Sequence, residues 1–311
     1  MQIICGTTDF EIEEKSAVAI GKFDGIHQGH QKLLDCITGQ KEQGLKAVVF
    51  TFDPPPSVLF QTSSAKELMT KEEKRKAFSE MGIDILIEFP LTYETAAMEP
   101  QDYIEEFLVR RMRAAYIAAG TDVSFGAKGA GNYMLLLSMA ALLGYELQLI
   151  DKVCYNGREI SSTYVKEEVE RGNMETARVL LGSPYSVSGT VVHGKQFGRT
   201  IGMPTVNLLP GTRKLLPPNG VYYSEVIMDG GEYYGITNIG YKPTVSEEGQ
   251  IGVETYIYGF NGDIYGKEIT VKLLKFKRPE RKFSGKEDLK KQMMKDIEEG
   301  KNFHTEIQMK G

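Results

Sequence analysis

In the first half of the chain, hydrophobic residues gather in short runs. Ala17–Ile20, Lys46–Phe52, Ile83–Phe89, Ala114–Ala119 and Glu146–Ile150 have the length and composition of buried strands. Between them, Gln31–Glu42, Lys71–Met81, Pro100–Met112 and Asn132–Leu143 carry apolar residues at helical spacing. Strand and helix in alternation predict a doubly wound parallel sheet, an α/β class. Glu167–Leu181 reads as one further helix. Gly182-Ser183-Pro184 would stop it, since Gly followed by Pro ends helices, and the predicted domains are therefore 1–182 and 183–311.

The pattern then changes. Val187–Val192, Val221–Met228, Tyr233–Ile239, Val253–Tyr258 and Ile269–Phe276 are β-rich and separated by turn signals such as Asp229-Gly230-Gly231 and Asn261-Gly262. This predicts a small antiparallel barrel. A charged helix over roughly Lys286–Glu299 closes the chain.

Charge narrows the function classes. The 311 residues carry a formal charge of −5 with 41% hydrophobic and 25% charged residues. That balance fits a globular protein and argues against a nucleic-acid partner, while leaving room for a local basic pocket. Cys5, Cys36 and Cys154 are too few and too scattered for a disulfide framework or a zinc site, and are expected to be small buried apolar side chains. The acidic start, MQIICGTTDFEIEEKS, is unlike a signal peptide, and no run approaches the roughly 20 apolar residues of a membrane span. A cytoplasmic protein with no membrane partner is expected.

Candidate chemistry concentrates in two places. The first is Gly21-Lys22-Phe23-Asp24-Gly25-Ile26-His27-Gln28-Gly29-His30, between the first strand pattern and the first helix. Glycines admit close backbone approach, and the helix start offers unpaired N–H groups to an anion. His27 and His30, three apart, share a face in a helical first turn. If the sheet order is 3-2-1-4-5, the loop Gly120–Gly131, with Asp122, Phe125 and Lys128, lies beside this turn. Thr51-Phe52-Asp53-Pro54-Pro55-Pro56 and Ile160-Ser161-Ser162-Thr163-Tyr164-Val165-Lys166 are further candidates. The serines and threonine there read equally well as helix caps.

The second place runs from Gly189 to Asn207. Gly194, Lys195, Gly198, Arg199 and Gly202 form a loop suited to covering phosphates, although it is not a Walker A sequence. Thr205 and Asn207 alternate, so on a strand their oxygens point the same way and suit Mg²⁺ and a phosphate oxygen. Glu254 lies on a β-pattern, where an isolated Glu normally faces solvent, but phosphorylating an alcohol calls for a carboxylate base.

Taken together, GKFDGIHQGH, TFDP, GMPTVN, NIGYKPTV (Asn238–Val245), VETYIYGFNGDIYGKE (Val253–Glu268) and FKRPERKF (Phe276–Phe283) resemble the bacterial bifunctional riboflavin kinase/FMN adenylyltransferase family, over essentially the whole chain. The resemblance implies a Rossmann-like nucleotidyltransferase domain followed by a flavokinase barrel with a C-terminal helix. It implies two reactions with Mg²⁺ and ATP: riboflavin to FMN in the barrel, then FMN to FAD with release of pyrophosphate in the first domain. It implies Glu254, His27 and His30 as catalytic. It implies Gly21, Phe23, Asp24, Gly25, Gly29, Ser162, Thr163, Lys166, Gly194, Lys195, Gly198 and Arg199 at ATP and its phosphates. Asp53, Asp122, Phe125, Asn238 and Arg278 fall at flavin positions, and Thr205 and Asn207 at the metal. The chain departs from the family where Pro55 replaces a frequent His, and where Tyr164 and Lys166 replace two frequent arginines. Lysine keeps the charge without the bidentate fork. A kinase with a weak or regulatory first domain is the alternative. A monomer or weak homo-oligomer is expected.

Overall fold

A computed structural model describes residues 1–61, 66–194, 198, 202–242 and 250–309. The chain divides into two compact units, Met1–Ser162 and Thr163–Gly311.

The first unit contains β1 (Gln2–Cys5), β2 (Ser16–Ile20), α1 (Gln28–Gly39), β3 (Lys46–Asp53), α2 (Lys71–Glu80), β4 (Ile85–Pro90), α3 (Tyr103–Arg111), β5 (Ala114–Gly120), α4 (Tyr133–Leu143), β6 (Glu146–Ile150) and a small hairpin, β7 (Cys154–Tyr155) with β8 (Arg158–Glu159). The six-stranded sheet is parallel throughout, in the order β1-β4-β3-β2-β5-β6. The five strands expected from the hydrophobic runs therefore stand in the order 3-2-1-4-5. β1 is added at the edge, where a short and largely exposed segment carries little hydrophobic signal.

Alternation along β2 explains the double winding. Val18 and Ile20 pack with Phe107 and Leu108 of α3 and Leu136 and Met139 of α4. Ala17 and Ala19 face the opposite side, with Leu33, Leu34 and Ile37 of α1 and Phe78 of α2. Small residues on that face let α1 approach the sheet closely. Cys5 and Cys154 are exposed and Cys36 is half-buried, against the expectation of buried thiols. The first two lie on the edge strand β1 and the hairpin strand β7.

The second unit takes up α5 (Ser162–Glu170) from Thr163 onward, and α6 (Met174–Leu181). The single helix expected over Glu167–Leu181 is thus broken. Gly172 takes a left-handed φ of +78°, and the Glu168 carboxylate accepts from both the Arg171 guanidinium (2.7 Å) and the Asn173 amide (2.8 Å) across the break. Gly172 sits against Pro218 and Phe276, and Glu175 of α6 pairs with Lys275. Such contacts attach these helices to the barrel and bring the division between units ahead of Gly182.

The barrel strands are β9 (Tyr185–Val192), β10 (Val206–Leu208), β11 (Gly220–Met228), β12 (Gly231–Lys242), β13 (Gln250–Ile257) and β14 (Glu268–Pro279). They close in the order β10-β13-β12-β11-β14-β9. The terminal helix α7 (Lys286–Gln308) runs further than its charged portion suggested, because Ile297 and Phe303 pack on Val221, Tyr223 and Ile236 of the barrel's outer face. No helix among the described residues is long and apolar enough to cross a membrane.

Candidate active sites

The first site forms where β2 gives way to α1. From β2 the sheet continues to β3 on one side and β5 on the other, so the turn opens at the point where strand order reverses. Phe23, buried with a φ of +48°, pins the turn by packing edge-on against Phe78 at 5.5 Å, so it offers a ligand its backbone rather than its ring. Gly25 has a φ of +68°, and a Cβ there would lie 2.6 Å from Leu68 Cδ1. Asp24 clamps the same segment: its Oδ1 accepts from the Leu68 N–H (2.7 Å) and its carbonyl accepts from the Ser162 hydroxyl (2.7 Å).

His27 is the N-cap of α1, its Nδ1 accepting from the His30 N–H at 3.4 Å. His30 Nδ1 lies 3.2 Å from the Gly25 carbonyl. The two rings stack with centroids 3.8 Å apart, in keeping with the shared face that their spacing implied. Burial lowers the His27 pKa to about 3, helped by His30. Burial lowers His30 to about 4, against the pull of the Gly25 carbonyl, Asp24 and Asp122. Asp122, on the loop leaving β5, is thus near enough to act on His30, as the strand order predicted.

Other candidates fall differently. Phe125 is a core residue stacked on Tyr103 at 5.1 Å. Asp53 ends β3 and is held by Lys71 (2.6 Å), which also meets Glu88 (3.1 Å), itself held by Arg75. Gly21 and Gly29 flank the Phe23 and His27 rings. Thr163 and Lys166 lie in the opening turns of α5, in the second unit.

The second site lies on the outer face of the barrel. Register places Asn207, Glu254 and Asn238 directly opposite one another on β10, β13 and β12. The alternate positions Val253, Thr255 and Ile257 are buried, which turns Glu254 outward as its strand pattern suggested. There Glu254 accepts a hydrogen bond from the Thr205 hydroxyl. Asn207 is 4% exposed, and Gly194 is so close that a Cβ there would collide with its amide. The Gly198 carbonyl accepts from the Met203 N–H at 2.8 Å. Lys195 and Arg199 lie outside the described residues. Asn238 donates to Glu280 Oε1 (3.1 Å), and Arg278 is committed to Asp296 of α7, with Nη2 to Oδ2 at 2.6 Å. A cavity of about 620 Å³ is lined by Met203 and by Lys291, Met294, Lys295, Ile297, Glu298 and Lys301 of α7.

Comparison with known proteins matches residues 9–164 to FAD synthetase and residues 181–304 to riboflavin kinase. A bifunctional riboflavin kinase/FMN adenylyltransferase of Listeria monocytogenes is 36% identical over 97% of this chain and 96% of its own. One of Escherichia coli (strain K12) is 36% identical, covering 91% of each chain.

The chain belongs to the bifunctional riboflavin kinase/FMN adenylyltransferase family.

It is an enzyme of flavin-cofactor biosynthesis, with both family domains present, and a kinase with a merely regulatory first domain is not favoured. A solved structure of a Streptococcus pneumoniae protein described as a macrolide-efflux protein shares the architecture, with 29% identity and a TM-score of 0.84 over 96% of this chain and 97% of that one.

Within this family frame, the supporting residues that sequence reading missed are Leu68, Lys71, Arg75, Glu88, Glu280 and Asp296. Each meets its partner across a long stretch of chain, and KEEKRKAF at Lys71–Phe78 reads locally as an ordinary solvated helix face. Among the described residues no three His, Cys, Asp or Glu side chains form a metal-ligand group.

Proposed function

We propose that phosphorylation of riboflavin occurs at the Thr205–Asn207–Glu254 cluster and adenylylation of FMN at the His27–His30 turn, the two catalytic domains being 1–182 and 183–311. The contact between Thr205 and Glu254 carries the kinase assignment, because it joins two separate sequence motifs in one place. Glu254 takes the proton from the ribityl 5′-hydroxyl as its oxygen bonds to the γ-phosphorus of ATP and ADP departs with the electron pair of the broken bond.

The hydroxyl proton of Thr205 points at Glu254, which leaves its lone pairs to face a cation. With the Asn207 amide this makes the sparse, hard-oxygen set that suits Mg²⁺, an ion that keeps most of its shell for water and phosphates. Thr205 and Asn207 would hold the ion, and it would neutralise phosphate charge. The Met203 and α7 cavity is the place for the isoalloxazine ring, with Met203, Met294 and Ile297 as apolar walls.

FMN brings an already ionised phosphate to the first unit, so that reaction needs positioning and charge stabilisation more than a base. Helix N–H groups and the paired histidines supply both, in a cytoplasm where ATP is plentiful. The test supplies riboflavin, ATP and Mg²⁺ and separates the flavins by chromatography. Glu254→Gln is expected to lower FMN formation by about 10²- to 10⁴-fold while FAD still forms from supplied FMN. His30→Ala should give the reverse. Equal loss of both activities in either variant rejects the assignment of one site per domain.

A further inference from the structure

The two histidines of the phosphate turn are not equivalent. His27 Nδ1 receives the backbone N–H of His30, so its lone pair is engaged and its proton sits on Nε2. His30 Nδ1 faces the Gly25 carbonyl, which can only accept, so there the proton sits on Nδ1 and Nε2 carries the lone pair. One ring thus presents a donor and its neighbour an acceptor.

We propose that His27 is a permanent Nε2–H donor, whereas His30 takes up one proton from water when a nucleoside triphosphate enters the turn. This rests on the reading of the first unit as a nucleotide site. Stacking at 3.8 Å penalises two charges at once, so the pair accepts one proton, not two. Protonating His27 on Nδ1 would break the cap of α1, while His30 already has Nδ1–H in place and needs only a proton on Nε2.

The surroundings favour the same ring. Asp24, on the turn itself, and Asp122, on the loop leaving β5, both draw positive charge to His30, while α1 contributes the His27 ring and α2 the uncharged Phe78 by way of Phe23. In the free protein burial outweighs these carboxylates and keeps both rings neutral. A polyphosphate changes the balance. The transfer forms a bond from an FMN phosphate oxygen to the α-phosphorus and breaks the bond to the bridging oxygen, whose electron pair leaves with pyrophosphate. No proton enters that stoichiometry. The proton on His30 is a bound charge partner, returned to water when products leave.

With four histidines in the chain, ¹⁵N-histidine NMR of the full-length protein reads each ring directly. His27 and His30 are assigned by His30→Gln. Should that variant not fold, His27→Gln makes the same assignment from the other ring. Without nucleotide at pH 6.5, His27 is expected as the Nε2–H tautomer and His30 as the Nδ1–H tautomer. Adding a non-hydrolysable ATP analogue with Mg²⁺ should turn His30 alone into imidazolium. Reversed tautomers, or a His30 that stays neutral while its signal shifts on binding, overturn the proposal and leave the nucleotide site standing. If saturating analogue moves neither ring's signals, both the proposal and the nucleotide reading of this turn fail.

Discussion

The hydroxyl of Thr205 hydrogen-bonds the carboxylate of Glu254 across 49 residues of sequence. The bond exists because β10 and β13 are neighbours in the closed barrel, with Asn207 opposite Glu254. Hydrogen bonds to charged groups contribute about 1.5–3 kcal/mol. Thr205→Val should therefore slow FMN formation by about 10- to 100-fold. Thr205→Ser should restore most of it, and FAD formation from FMN should not change. Flavin chromatography at saturating ATP reads all three, and a Val variant as fast as wild type would refute a working role for this hydroxyl.

Arg278 and Asp296 fasten α7 to the barrel. Asp296 is 1% exposed, its oxygens also accept from Gln292 (2.7 Å), and the Arg278 side chain is 18% exposed. Removing one member of a buried ion pair costs about 3–5 kcal/mol. Asp296→Ala should lower the urea midpoint of the full chain accordingly. It should also weaken FMN formation, because α7 carries most of the lining of the cavity beside Met203.

A pH dependence follows from His304. Its ring is 3% exposed, stacks on Tyr234 at 4.3 Å and lies edge-on to Tyr223 and Tyr258, and neither ring nitrogen has a hydrogen-bond partner of good geometry. Burial lowers its pKa from 6.5 to about 4, although Glu225 pulls the other way. The unfolded chain thus binds the proton more readily, and the stability associated with a neutral His304 is complete above pH 6.5 and lost as pH falls from there towards 4. The loss amounts to as much as about 3 kcal/mol. His304→Phe should flatten this part of the stability curve, measured by denaturant midpoints between pH 7 and 4.5. Parallel curves for the two proteins would contradict the assignment.

Gly25→Ala places a methyl group where φ is +68° and Leu68 is within 2.6 Å. Left-handed backbone alone costs an L-residue about 1–2 kcal/mol. FAD formation should fall sharply while FMN formation persists, and the loss of thermal stability should be confined to the first unit's transition in calorimetry.

How much of this was readable beforehand depended on the distance over which each signal acts. Alternating strand and helix patterns implied a doubly wound sheet, but the 3-2-1-4-5 order entered only as a condition and the fold decided it. The spacing of His27 and His30 put them on one face, and the N-cap geometry of His27 brought the rings into a stack. β1 escaped notice because an exposed edge strand has no second hydrophobic face to reveal it. The break at Gly172 escaped because α5 and α6 share an apolar periodicity, and only contact with Pro218 and Phe276 fixes the turn.

The local sequence, then, determined most of the elements and the two clusters of chemistry, since turns, caps and periodicity act within a few residues. Tertiary structure alone decided which side chains those clusters would meet: Leu68 behind Gly25, Lys71 on Asp53, Asp296 on Arg278, and Thr205 on Glu254. It also took Phe125 into the core, against Tyr103. Each such pairing comes from folding distant segments onto a common sheet or barrel, and one chain read by itself contains no local trace of its partner.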